Sequence, residues 1–220
     1  DNDGQIARMN NSAELFVFGY LTITTGNLTS ANVDDKLTLV GDFLMSGGSF
    51  TAGDNTGHTV GGSWTESGGT FTAGTAGKFT FEAAAGNTTI TTNTSFYDLS
   101  VETAGNSVSA AATLDVTRNF TMTATNTGNF SAAAALNVNG AFTMATGNEG
   151  NFSTGSNTVR VTGVTDIDAD TLMISTGGIF DADGDFNANG AFVTFTGDGT
   201  LKLGGNSLGT PDLGTLNDDA

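Results

Sequence analysis

The sequence predicts an all-β parallel β-helix (a solenoid), with three short strands in each coil of 21–23 residues. An antiparallel β-sandwich is the alternative. Three observations carry the prediction. First, the chain repeats. Gly47-Gly48-Ser49-Phe50-Thr51-Ala52-Gly53 returns 21 residues later as Gly68-Gly69-Thr70-Phe71-Thr72-Ala73-Gly74, and Phe120-Thr121-Met122 returns 22 later as Phe142-Thr143-Met144. Second, within each repeat the apolar residues lie two apart, which puts them on one face of a strand with Thr and Ser on the other. Third, the 220 residues include 32 Gly, 38 Thr and 16 Phe. That composition disfavours helices and supplies turn residues and a core. A period shared by several segments calls for stacked equivalent units that bury one continuous core, and a sandwich does not require it.

Aligned by the repeat, the strands fall in order. A first strand reads Leu21/Ile23, Phe43/Met45, Trp64, Leu99/Val101, Phe120/Met122 and Phe142/Met144. A second carries one large anchor, Leu28, Phe50, Phe71, Val108, Phe130 and Phe152. A third reads Leu37/Leu39, His58/Val60, Phe79/Phe81, Leu114/Val116, Leu136/Val138 and Val159/Val161. Gly, Asn and Asp between them suit sharp turns. On this alignment residues 82–98 are extra length, a partial coil around Ile90 and Phe96. Beyond Val161 the inward positions are Val164, Leu172/Ile174 and Ile179, then Phe186, Phe192 and Leu201/Leu203. Eight or nine coils make a rod of roughly 40 Å at the spacing of paired strands. Residues 1–20 are expected to form a capping or exchanged strand segment, 21–203 the solenoid, and 204–220 an acidic tail.

Six Lys and Arg stand against 23 Asp and Glu, a formal charge of −17. Such a body cannot neutralise a phosphate track, so nucleic acid is excluded as a partner. With no Cys there is no disulfide framework and no thiolate chemistry. The longest apolar run, Leu15-Phe16-Val17-Phe18, is far short of the ~20 residues of a spanning helix. The opening Asp-Asn-Asp-Gly has no basic leader, which fits an exported chain whose signal has been removed.

The Gly-x-Phe-Thr, Ala-Gly and Leu-x-Val cadences over about residues 20–203 resemble the Thr/Asn/Gly-rich β-solenoid repeats of prokaryotic surface proteins. Adhesins and filamentous-haemagglutinin-like exoproteins are examples. The resemblance implies an extracellular or cell-surface structural role.

The densest chemical signal is acidic: Asp166, Asp168 and Asp170, then Asp181, Asp183 and Asp185. Alternate hard oxygens in Asp181-Ala-Asp183-Gly-Asp185 resemble the opening of a Ca²⁺ loop and make these three the candidate metal ligands. The twelfth position of that loop falls on Phe192, where a carboxylate is needed. The plainer reading is that Asp and Gly make turns, as they do in the shorter echo Asp1-Asn2-Asp3-Gly4. No cofactor is required on either reading. His58 takes a column position held elsewhere by Leu37 and Phe79, which makes it a core residue, and Glu66 is predicted inward, two residues past Trp64. The basic residues are scattered; Arg118 and Arg160 fall at different strand positions, so no acid–base constellation forms and no enzyme is expected. Seven Asn-x-Ser/Thr sequons are no more than so much Asn, Ser and Thr produces by chance.

The expected partner is a second copy of the chain. A β-helix is open at both ends, and the apolar segment 13–20 reads as a strand that another subunit could pair with. Leu15, Phe16, Val17, Phe18 and Tyr20 are therefore the candidate interface residues. Head-to-tail contacts of this kind generate filaments or lattices. The competing expectation is a monomeric adhesin that binds host or surface glycans.

Overall fold

A computed structural model describes residues 6–9, 14–30, 33–92, 94–204 and 215–219. All regular structure among them is β, and every named strand pair is parallel. The chain winds as a β-solenoid of about nine turns with about 21 residues per coil. Three sheets line it, of twelve, nine and five strands among the described residues. In the nine-stranded sheet Val17, Leu39, Val60, Phe81, Val101, Met122, Met144 and Ile167 follow one another at intervals of 20 to 23 residues.

Like stacks on like, as the repeat requires. Phe120 pairs with Phe142 and Phe130 with Phe152. Their rings lie 5.3 Å and 5.4 Å apart and within 7° and 12° of parallel. Alternating residues face in and are buried, while the Thr and Ser between them face out: Phe120-Thr121-Met122 reads buried, half-buried, buried. The core is one continuous cluster from Ile23 to Val193. At its N-terminal centre Trp64 is fully buried, stacked on Phe43 at 3.9 Å and met edge-on by Phe71, Phe79 and Phe96.

The expected columns are displaced by one strand past residue 82. Leu99 stacks on Phe79, in the expected third column, and not on Trp64. Trp64 is followed by Ile90, and Ile90 by Ala110. Residues 82–98 are thus ordinary coil length, with Thr88–Thr91 as a full strand; Phe96 bridges to Val116 below the five-stranded sheet. The displacement arises because the strands Phe43–Thr51 and Trp64–Thr72 each carry what reads as two short strands in one sheet. A register shift after Met45 breaks their pairing where Gly48 and Gly69 take φ of 65° and 87°, a bend that only glycine makes cheaply. After residue 98 the same perimeter is divided into three separate strands, so a coil there begins one strand later.

Three expected core residues also move. Val164 and Phe192 are each 47% exposed, and Ile179 is only half-buried; Thr165, Val193 and Phe180 take the inward places. In each case the neighbouring residue keeps the two-residue phase of the coil before. Pairing also runs past the expected domain limits. Ile6–Met9 and Glu14–Val17 pair with Asn27–Ser30 and Lys36–Leu39 as a first coil, and Thr215–Asp219 pairs with Phe192–Thr196. Residues 205–214 of the expected tail lie outside the described residues.

Candidate functional site

The candidate interface residues sit on the first coil and divide by alternation. Leu15 and Val17 point inward and pack against the core. Phe16, Phe18 and Tyr20 point outward, 47%, 82% and 76% exposed, with the two Phe rings 4.7 Å apart. Among the described residues the backbone of Glu14–Val17 is paired on one side only: the Val17 carbonyl accepts the Val40 N–H at 2.9 Å. Because consecutive residues of a strand direct their N–H and C=O groups to opposite sides, those of Phe16 face the unpaired edge. The last strands of the three sheets are Phe186–Asn187, Thr200–Leu203 and Thr215–Asp219, each paired on one side among the described residues and running in the same direction as the first coil.

The acidic residues do not converge. Asp183 takes two hydrogen bonds on Oδ2, from Arg160 Nε at 2.9 Å and a terminal guanidinium nitrogen at 2.6 Å. Asp181 lies 3.9 Å from Lys202 Nζ. Asp166 accepts from Asn187 Nδ2 at 2.8 Å, and Asp168 from the Thr146 hydroxyl at 3.3 Å. Asp185 uses its carbonyl to hold the Thr165 N–H. Asp170 has φ of 57°, in a turn, and burial together with Glu149 raises its carboxyl above the usual range. Among the described residues no three His, Asp or Glu side chains meet in a geometry that could hold a metal ion. The sequence brought Asp181, Asp183 and Asp185 together as ligands; cations on the adjacent strands take up the first two carboxylates instead, Lys202 beside Asp181 and Arg160 on Asp183. Asp1 to Gly4 lie outside the described residues.

His58 is fully buried and stacked on Phe79 at 4.6 Å. Its Nδ1 accepts the Leu37 N–H at 3.0 Å and its Nε2 lies 3.3 Å from the Gly53 carbonyl. The ring that satisfies both is neutral, protonated on Nε2. Burial holds its pKa below the ordinary 6.5. The unfolded chain therefore binds a proton that the fold rejects. The stability contributed by neutral His58 is complete above about pH 6.5 and is lost as pH falls below it, at up to about 1.4 kcal/mol per pH unit. Urea midpoints at pH 7.5 and 5.5 are expected to differ, with the lower value at pH 5.5. In His58→Leu, which is less stable at both pH values, that difference shrinks; an unchanged difference removes His58 as its source.

Glu66 is buried and accepts the hydroxyls of Thr92 at 2.7 Å and Thr94 at 3.0 Å, so its inward place is held by hydroxyl donors. A second polar line was not anticipated. Asn126 Oδ1 accepts the Thr103 N–H at 2.9 Å, and Asn126 Nδ2 donates to Asn148 Oδ1 at 2.8 Å and to the Gly128 carbonyl at 2.7 Å. Asn148 Nδ2 donates in turn to the Gly150 carbonyl at 2.7 Å. Both asparagines are buried. Their 22-residue offset was the available signal, hidden by the many exposed Asn of the turns.

A lateral groove follows the corner of the N-terminal half. One depression of about 590 Å³ is lined by Phe71 through Thr75, Thr94, Ser95, Tyr97, Asp115 and Thr117. An adjoining one of about 300 Å³ shares Thr72, Ala73, Gly74 and Thr75 and runs on to Ser30 and Val33. Arg118 flanks Tyr97, its guanidinium carbon 5.4 Å from the ring centroid, and pairs with Asp98 at 3.4 Å.

No protein-family model, curated protein or solved structure matches the chain. Among the described residues no helix is long and apolar enough to cross a membrane. The class the fold defines is therefore that of repeat-built β-solenoids, and the reading of its role rests on the sites above.

Proposed function

We propose that the chain is an extracellular or cell-surface structural subunit, a β-solenoid of the adhesin and filamentous-haemagglutinin style, that joins head to tail into a filament, sheath or lattice. The observation that carries the reading is the pair of unpaired strand edges on the first and last described coils. They share strand direction and inter-strand spacing, and the first coil adds outward aromatic residues, Phe16, Phe18 and Tyr20, beside its open edge, so the first coil of one copy is a fit continuation for the last coil of another. A heterologous contact of this kind repeats without closing. Among the described residues Arg118, Arg160 and Lys202 each pair with a neighbouring carboxylate.

Sedimentation and electron microscopy of the purified chain test this. Rods longer than one solenoid, lengthening with concentration, are expected. Phe16→Pro removes an N–H that faces the unpaired edge and no pairing bond within the coil. It is expected to leave the circular dichroism unchanged and to abolish the long species. Monodisperse short rods from the unsubstituted chain overturn the reading.

A further inference from the structure

We propose that the lateral groove is a binding site for an uncharged polysaccharide chain, a function independent of whether copies assemble. The two depressions share four residues and so form one trough. Its long axis runs along the stack, because the lining residues Thr51 and Thr72 are register partners in successive coils, and it runs from Ser30 in the coil before them to Thr117 beyond. Five coils at the strand spacing give about 20 Å, room for several sugar units. An added peptide strand would lie across this direction, parallel to the strands, so the trough is shaped for something other than β-augmentation.

The lining suits a polyol. Thr51, Thr72 and Thr117 each offer a hydroxyl that both donates and accepts, while the Thr75 and Thr94 hydroxyls, whose protons go to Asp54 and Glu66, present acceptors. Half-buried Tyr97 supplies the one partly exposed aromatic ring at the wider end, a platform for the C–H face of a sugar with a hydroxyl at its tip. Asp115 lines the same end and is oriented by Asn137 Nδ2 at 2.7 Å. Asp54, at the narrower end, is held by the Thr75 hydroxyl at 3.2 Å and the Ala76 N–H at 3.0 Å. Two carboxylates in the trough, on a body of formal charge −17, repel uronates and sulfated chains. The trough is open along its length, so it does not enclose a small apolar ligand.

Affinity electrophoresis through gels carrying hydroxyethylcellulose, laminarin or polygalacturonate tests the site. Retardation by at least one of the two neutral polymers, and none by polygalacturonate, is expected. Tyr97→Ala is expected to weaken that retardation at least tenfold. Thr75→Arg, which fills the trough from an exposed position, is expected to do the same and guards against a folding defect in the first variant, with circular dichroism checked for both. No retardation by either neutral polymer, binding of polygalacturonate alone, or retardation that both variants keep would each overturn the proposal.

Discussion

Trp64→Ala lowers the stability of the solenoid by about 3–5 kcal/mol, the range for removing a large aromatic from a packed core. Trp64 is fully buried and is the hub of the N-terminal aromatic cluster, in ring contact with Phe43, Phe50, Phe71, Phe79, Phe81 and Phe96. Those residues come from three successive coils. Truncation leaves a void that parallel strands held in register on both sides cannot close, because their spacing is fixed by backbone pairing. The check is a urea titration followed by circular dichroism, with Phe18→Ala as the comparison. Phe18 is 82% exposed, and its removal is expected to change stability by less than about 0.5 kcal/mol. Equal losses from the two variants would contradict the packing described.

Gly150→Ala is the second large effect, expected at about 3 kcal/mol or more. A Cβ there meets the Gly128 carbonyl oxygen and the Asn126 side-chain amide, both closer than real Cβ atoms approach. The obstruction is backbone on one side and a buried hydrogen-bonding group on the other, so neither yields cheaply. The cost therefore adds overpacking to damage of the Thr103–Asn126–Asn148 line, whose donors and acceptors have no water to turn to. Gly19→Ala is the control: a Cβ there has nothing within 4 Å. Midpoints from thermal or urea melts that rank Gly150→Ala with Gly19→Ala would refute the close approach.

The stacking of Phe120 on Phe142 and of Phe130 on Phe152 was legible in the sequence because the repeat and the two-residue alternation are physical constraints of a coiled parallel sheet. The same constraint also placed His58 and Glu66 inward. What misled was the assignment of perimeter to strands. Phe43–Thr51 and Trp64–Thr72 look like two strands each because Gly47-Gly48 and Gly68-Gly69 read as turns, yet they bend one sheet. That made Leu99 seem to follow Trp64. Val164, Ile179 and Phe192 were misplaced for a simpler reason: each has a neighbour, Thr165, Phe180 or Val193, that can equally face in, and the phase of the coil beneath decides between them. The candidate sites were legible only as composition. An Asp at every second position reads as a ligand set, but the cations that claim its members lie one coil away and do not show along the chain: Asp183 goes to an arginine 23 residues away and Asp181 lies beside Lys202. The lateral groove could not be foreseen, since it joins residues of five coils and depends on where one sheet gives way to the next.

The near-constant interval between register partners has an evolutionary corollary. Each coil meets its neighbours through the same small set of contacts, so a stretch of one interval is a self-contained unit of inheritance. Excising residues 120–141 would set Phe142 beside Leu99, with a phenylalanine-threonine-methionine triplet still facing the Leu99-Ser100-Val101 strand it is meant to face. Copying the same stretch would lengthen the rod by one step. A gene of this kind can drift in length by unequal exchange without losing the fold, whereas gains or losses of half a coil are eliminated.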